Sequence, residues 1–205
     1  MSILSKIPKS ITFLLGMTIL TGVFYPAAVT LIAQLAFPGR ANGSLLVVGG
    51  AVRGSELLAQ KFKAPAYFRA RPSASDYAYI GAGASNLGPV SADLAKAVAD
   101  RRAAWAGEPG AGAAPPPEDM LYASASGLDP DISPEAALAQ VPRVAAARAR
   151  ADASLARAGL EASLKAEVAR RAAEATSLIG PPRVNVLSLN AWLDREASNG
   201  GRYGR

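Results

Sequence analysis

From Ile11 to Phe37 the chain runs 27 residues without a charged side chain. A helix needs only about 20 residues to cross ~30 Å of hydrocarbon, and it satisfies its own backbone hydrogen bonds on the way. The run is longer than the h-region of a signal peptide, and no A-x-A site closes it. It also lacks the polar stripe of a helix buried in a soluble core. The pattern predicts a retained transmembrane helix over 11–37, kinked where Pro26 frees the Gly22 carbonyl. Lys6 and Lys9 precede the span and Arg40 follows it, so the positive-inside bias puts residues 1–10 in the cytoplasm and residues 38–205 outside.

After the anchor the apolar runs shorten and change period. SLLVVGGAVR (44–53) reads as two short strands about Gly49-Gly50, a dipeptide suited to a hairpin turn. GSELLAQKF (54–62) reads as a short helix capped by Ser55, with Leu57, Leu58 and Phe62 on one side. YFRARPSASDY (67–77) and GAGASNLGPV (81–90) read as loop. Ser91 caps a helix carrying Leu94, Val98 and Trp105 and ending near Gly107. The Pro/Gly/Ala run 107–119 reads as a flexible insert. Ser133-Pro134-Glu135 starts a helix that Pro142 interrupts. A helix from about Ala153 to Leu178 places Leu160, Leu164, Val168, Ala172 and Ala175 on one face and stops at Gly180-Pro181-Pro182. VNVLSLNAWLD (184–194) fits both periods, helix slightly better, and a frayed tail follows over 197–205. The expected fold class is α+β: one N-terminal transmembrane helix, then a single mixed α/β extracytoplasmic domain.

Charge changes this picture little. Lys and Arg number 22 against 16 acids, but no segment forms a basic stripe and aromatics are only 6%. A nucleic-acid surface needs both, so none is expected. The chain has no cysteine and no histidine. Disulfides, thiol chemistry and Ser-His-Asp or Cys-His catalysis are excluded within it, and zinc and copper lose their usual ligands. There is no G-x-x-x-x-G-K-[ST] loop, and the glycines at 81, 83 and 88 miss the dinucleotide spacing. Arg69 and Arg71 beside Tyr67, Phe68 and Tyr77 could receive an anion; spacing alone favours surface charge lying over aromatics. Asp129 and Asp131 could hold a hard cation, though beside a proline they read first as turn and capping residues. The arginines of 143–150 read as a solvated helix face. No complete catalytic site emerges.

Several words in fixed order carry a resemblance: LTGVFYP (20–26), NGSL (42–45), RGSELLAQKF, YFRARPSA (67–74), GASNLGP (83–89), ASASGLDPDISPEAALAQVPRVAAAR (123–148) and RVNVLSLNAWLD (183–194). Together they resemble the C subunit of the Kdp-type potassium-transporting ATPase over nearly the whole chain. The positions so matched include Arg71, Pro72, Ser73, Ser85, Asn86, Ser126, Gly127, Asp129, Ser133, Pro134, Arg143, Asn185 and Asn190. Departures are Asp131 where members often have His, Ala82–Ala84 in a usually Gly/Ser-rich stretch, and Ala59 before Gln60.

The resemblance implies an accessory, single-pass subunit of the bacterial inner membrane with a periplasmic domain, in a complex that imports K+ at the expense of ATP. Its implied partners are a channel-like K+-translocating subunit, a P-type ATPase subunit and a very small hydrophobic subunit. The family role is a catalytic chaperone raising the pump subunit's ATP affinity, with Gln140 matching the glutamine proposed to meet nucleotide. An outside domain puts Gln140 beyond reach of cytoplasmic ATP; the domain would instead cap the external ion entrance. Gly16, Thr18, Gly22, Tyr25 and Pro26 are the expected helix–helix contacts in lipid. A stand-alone anchored module binding an external ligand through Arg69, Arg71 and Gly81–Gly88 is the alternative.

Overall fold

The computed structural model describes residues 6–108, 115–152, 156–175 and 180–198. The chain divides into two units, Met1–Leu45 and Leu46–Arg205. In the first, Ile7–Ala36 is one apolar helix of 30 residues, long enough to cross a membrane, with no residue buried. It consists of α1 (Ile7–Ile19), a π-helical turn (Leu20–Phe24) and α2 (Tyr25–Ala36). The π turn lies just before Pro26, where a proline ring would clash with the preceding turn of a regular helix and cannot donate to it. Where the kink was expected the helix therefore carries a widened, π-helical turn. A short α3 (Pro38–Ala41) follows, and Gln34 and Asn42 exchange side-chain amide hydrogen bonds across it at 3.1 and 3.2 Å.

The predicted hairpin forms from β1 (Leu45–Val48) and β2 (Ala51–Ser55). Gly49 and Gly50 both have positive φ, +60° and +78°, the conformation a two-residue turn of this hand requires. The helix expected over 54–62 is absent. Strand β2 continues to Ser55, and the Ser55 side chain accepts from the Leu57 N–H in a local turn rather than capping a helix. Residues 59–90 contain no regular helix or strand.

Among the described residues, three of the second unit's four longer helices build its core, and the fourth, α4 (Ala92–Ala106), adds only Trp105 at the edge. Helix α4 starts at Ser91, whose hydroxyl accepts from the Leu94 N–H, and ends at Gly107. One turn, α5 (Glu118–Leu121), begins at the C-terminal edge of the expected insert. Helix α6 (Pro134–Ala151) starts as expected, with Ser133 accepting from the Ala136 N–H and Pro134 in the first turn. It runs straight through Pro142, contrary to the expected interruption. Ala137, Val141, Val144 and Ala145 recur at helical spacing and are fully buried. That continuous buried face outweighs one lost backbone bond.

Helix α7 (Arg157–Glu174) packs along α6 and buries Leu160, Leu164 and Val168; Ala172 is half-buried and Ala175 exposed. The helix ends at Glu174, before Gly180. Residues 184–194 use both periods: β4 (Val184–Asn185) and then α8 (Val186–Ser198). Strand β4 pairs antiparallel with β3 (Asp131–Ile132) in the register Asp131↔Asn185 and Ile132↔Val184. Ile132, Val184, Leu189 and Leu193 join the same core, with Trp105 and Trp192 at its edge. The expected frayed tail partly falls inside α8; the rest lies outside the described residues.

Leu164 is the best-buried large side chain between α6 and α7. Leu164→Ala is expected to lower stability by about 2–4 kcal/mol. Denaturant unfolding of the full chain in detergent, followed by fluorescence of Trp105 and Trp192, measures it; a change under about 0.5 kcal/mol would contradict this packing.

Candidate functional site

The irregular segment 65–73 crosses the core and needs partners for its backbone groups, since a buried N–H or C=O left unpaired costs about 1–3 kcal/mol. Two carboxamides supply them. Asn190 on α8 accepts from the Phe68 N–H and donates back to the Phe68 carbonyl, both at 2.9 Å. Gln140 on α6 does the same for Arg69, accepting at 2.8 Å and donating at 3.1 Å. Each amide reads one residue as a neighbouring strand would. Phe68, fully buried, is held between them.

Two arginines extend this scaffold. Arg143 donates to the Pro65 and Tyr67 carbonyls at 2.8 and 3.0 Å and to Gln140 Oε1 at 2.7 Å. Arg148 donates to the Ala66 carbonyl at 2.9 Å, pairs with Asp194 at 3.2 Å and lies 5.1 Å from the Tyr67 ring centre. The Tyr67 hydroxyl donates to the same Asp194 carboxylate at 2.9 Å. The expectation of a solvated face over 143–150 is thus corrected: only Arg150 is exposed, while Arg143 and Arg148 are 3% and 8% exposed. Arg suits this position because its planar fork donates to several carbonyls at once. Burial, and then the charge of Arg69, push the Arg143 pKa down to about 10, against the pull of Glu108.

Above Gln140 lies a cleft of about 190 Å³, lined by Arg69, Arg101, Trp105, Glu108 and Arg143 among others. Glu108 bridges Arg69 and Arg143, the latter at 2.9 Å, from the edge of the expected insert. Arg101 donates to the Leu121 carbonyl at 2.6 Å. So the insert is anchored on both flanks, by Glu108 and by α5; residues 109–114 lie outside the described ones. Arg71 pairs with Asp129 at 3.2 Å. The arginines considered for an anion therefore already face carboxylates of this chain.

The other motif residues fall into two groups. Ser73 accepts from the Tyr77 N–H at 2.9 Å, and the Pro72 carbonyl accepts from Ser124 at 2.9 Å. Gly127 has φ +72°, and a Cβ there would come within 2.8 Å of the Gly83 carbonyl oxygen and Ser75 Oγ, so only glycine fits. Ser126 and Asp129 accept from the N–H groups of Leu128 and Asp131, closing successive turns. Asn185 donates to Asp131 at 3.0 Å and to the Glu56 carbonyl at 2.8 Å. Ser85 and Asn86 stand apart on an exposed loop with Ile80 and Val90. In the first unit, Gly16, Thr18, Gly22, Tyr25 and Pro26 are all exposed, and among the described residues nothing beyond the helix's own backbone lies within 4 Å of a Cβ at Gly16 or Gly22.

Among the described residues no three acidic side chains gather as a metal set. What the arrangement does chemically is hold an irregular buried segment and neutralise buried cations. The roles of Asn190, Arg148 and Glu108 were missed from sequence; polar residues at core spacing on α6 and α8 were the available signal.

A family model for KdpC, the K+-transporting ATPase c chain, matches residues 7–195. Among curated proteins, the potassium-transporting ATPase KdpC subunit of Pseudomonas entomophila is 45% identical over 92% of this chain and 94% of its own. The same-named protein of Herpetosiphon aurantiacus is 45% identical over 87% and 90%. That of Cereibacter sphaeroides is 43% identical over 93% and 97%.

Gln140→Ala strips both bonds from Arg69 and one from Arg143, and is expected to cost about 2–4 kcal/mol in the same unfolding assay. The exposed Arg150→Ala should stay within about 0.5 kcal/mol; equal effects would refute the clamp. Asp131 supplies a pH test. Burial raises its pKa above 3.8, the Asn185 hydrogen bond opposes this, and the Asp129 charge adds to the rise. The cost applies above the raised pKa and disappears as pH falls from there towards 3.8. Asp131→Asn should therefore stabilise the chain at pH 7, by up to about 1 kcal/mol after solvent screening, and lose that advantage in acid. A destabilised Asp131→Asn at pH 7 would contradict the assignment.

Proposed function

The chain belongs to the KdpC family, a subunit of the K+-transporting ATPase with K+ as the transported ion, and from that footing we propose that it is a non-catalytic assembly subunit. In this reading Ile7–Ala36 spans the bacterial inner membrane once, the N-terminus is cytoplasmic and residues 38–205 are periplasmic. Its partners are a channel-like K+-translocating subunit, a P-type ATPase subunit and a small hydrophobic subunit. Membership in a family of pump subunits sets the stand-alone ligand-binding module aside.

One observation carries the proposal: a 30-residue apolar helix of which no residue is buried by its own chain. A surface of this kind is covered by lipid or by other helices. The polar residues of the second unit support the same view. Gln140, 1% exposed, makes bonds to Arg69, Arg143 and the Ala136 carbonyl, so its amide is committed within the domain. We therefore assign it to positioning the 65–69 segment, and place any influence on the pump subunit's ATP affinity in how the subunits assemble rather than in a nucleotide contact here.

The test is a pull-down of the tagged full chain from detergent-solubilised membranes of potassium-starved cells. Two large membrane subunits with K+-stimulated ATPase activity should co-purify. Recovery of the chain alone and inactive would overturn the proposal. Gly22→Leu, which removes room for a neighbouring helix, should reduce the recovered complex; an undiminished yield would take Gly22 out of the interface.

A further inference from the structure

The widened turn in the span leaves a polar group without a partner. The Tyr25 N–H donates to the Leu20 carbonyl, five residues back, and not to Thr21. The next residue placed to donate to Thr21 is Pro26, which has no N–H. The Thr21 carbonyl thus loses both its i+4 and its i+5 backbone donor, and the Thr21 hydroxyl is occupied elsewhere, donating to the Met17 carbonyl at 2.7 Å. One turn further on, Tyr25 is 67% exposed, and its hydroxyl has no hydrogen-bond partner among the described residues.

Depth makes this costly. Thr21 is the fifteenth residue of the thirty in Ile7–Ala36, with about 20 Å of helix on either side. With a ~30 Å hydrocarbon core centred on the helix, Tyr25 lies about 10 Å inside its nearer boundary, farther than a phenol reaches. Water and headgroups are absent at that depth, so an acceptor and a hydroxyl there need a protein partner. Gly22, next to Thr21, has open space where a side chain would be, so a second helix can come close.

We propose that this break seats a transmembrane helix of another subunit of the K+-transporting ATPase, and that the helix presents a carboxamide, Asn or Gln, to the Thr21 carbonyl and the Tyr25 hydroxyl. A carboxamide carries an N–H donor and a carbonyl acceptor on one neutral group, matching both orphans. A charged side chain would meet a larger desolvation cost at mid-membrane. The inference rests on the subunit reading above and adds the point of contact and its chemistry.

The experiment co-expresses the tagged full chain with the other subunits and compares wild type, Tyr25→Phe, Pro26→Ala and Val29→Ala at equal membrane levels. Tyr25→Phe removes only a hydroxyl. Pro26→Ala restores the missing N–H and a regular helix, so the anchor itself is strengthened and poor insertion cannot explain a loss. Each should recover about three- to ten-fold less partner than wild type, the factor expected for one interhelical hydrogen bond. Val29→Ala, an apolar change on the same helix, should recover partners normally. Wild-type recovery by Tyr25→Phe and Pro26→Ala would refute the docking point while leaving the subunit reading standing. Equal losses in all three variants would refute it in favour of general packing. Wild type arriving without partners would overturn both.

Discussion

The core depends on two side-chain amides holding an irregular segment. Residues 65–69 have no strand beside them, yet Phe68 is fully buried. Burying that backbone is tolerable only because Asn190 and Gln140 each complete the N–H and C=O of one residue. The two amides come from different helices, α8 and α6, so the segment also fixes the spacing of those helices. Removing either amide would leave two buried backbone groups unpaired, a much larger effect than losing a bond at the surface.

Charge is handled in the same way. Arg143 and Arg148 enter the core with their guanidinium groups directed at carbonyls of residues 65–67, and Glu108 and Asp194 supply counter-charges. On α7, burial alone would raise the pKa of Glu167, but hydrogen bonds from Arg170 and Arg171 overcome this and hold it below the usual glutamate range. Its contribution to stability is full above about pH 4.5 and is lost as acid carries it through the lowered pKa. Such pairs gain little net energy against an apolar replacement, but breaking one member is costly, which commits the polar interior to one arrangement.

The first unit follows a different rule. In water the exposed face of Ile7–Ala36 would be a liability; in lipid it is ordinary, and the constraint shifts to the backbone. Pro26 is what the helix must accommodate, and it does so by widening the turn rather than by breaking. The energetic consequences of that proline appear only in an environment without water. A soluble helix with the same defect would hydrate its free carbonyl.

The sequence by itself determined the elements whose signals are local. The apolar run, the Gly49-Gly50 hairpin, and the Ser91 and Ser133 caps depend on neighbours a few residues away, and each was legible. The ordered family words gave the family as well, because many weak local matches in fixed order are jointly specific. Tertiary structure decided everything that required distant partners. Helix α6 ignores Pro142 because Val141, Val144 and Ala145 are buried against α7. The helix suggested by 54–62 yields to the end of β2 and a local turn, after which the Ala59 N–H bonds to the Leu128 carbonyl. Arg143 and Gln140 look like surface and ligand residues until residues 65–69, some seventy positions away, are folded onto them. A polar side chain in isolation carries no mark of whether water or a buried backbone will satisfy it, and only the folded chain chooses.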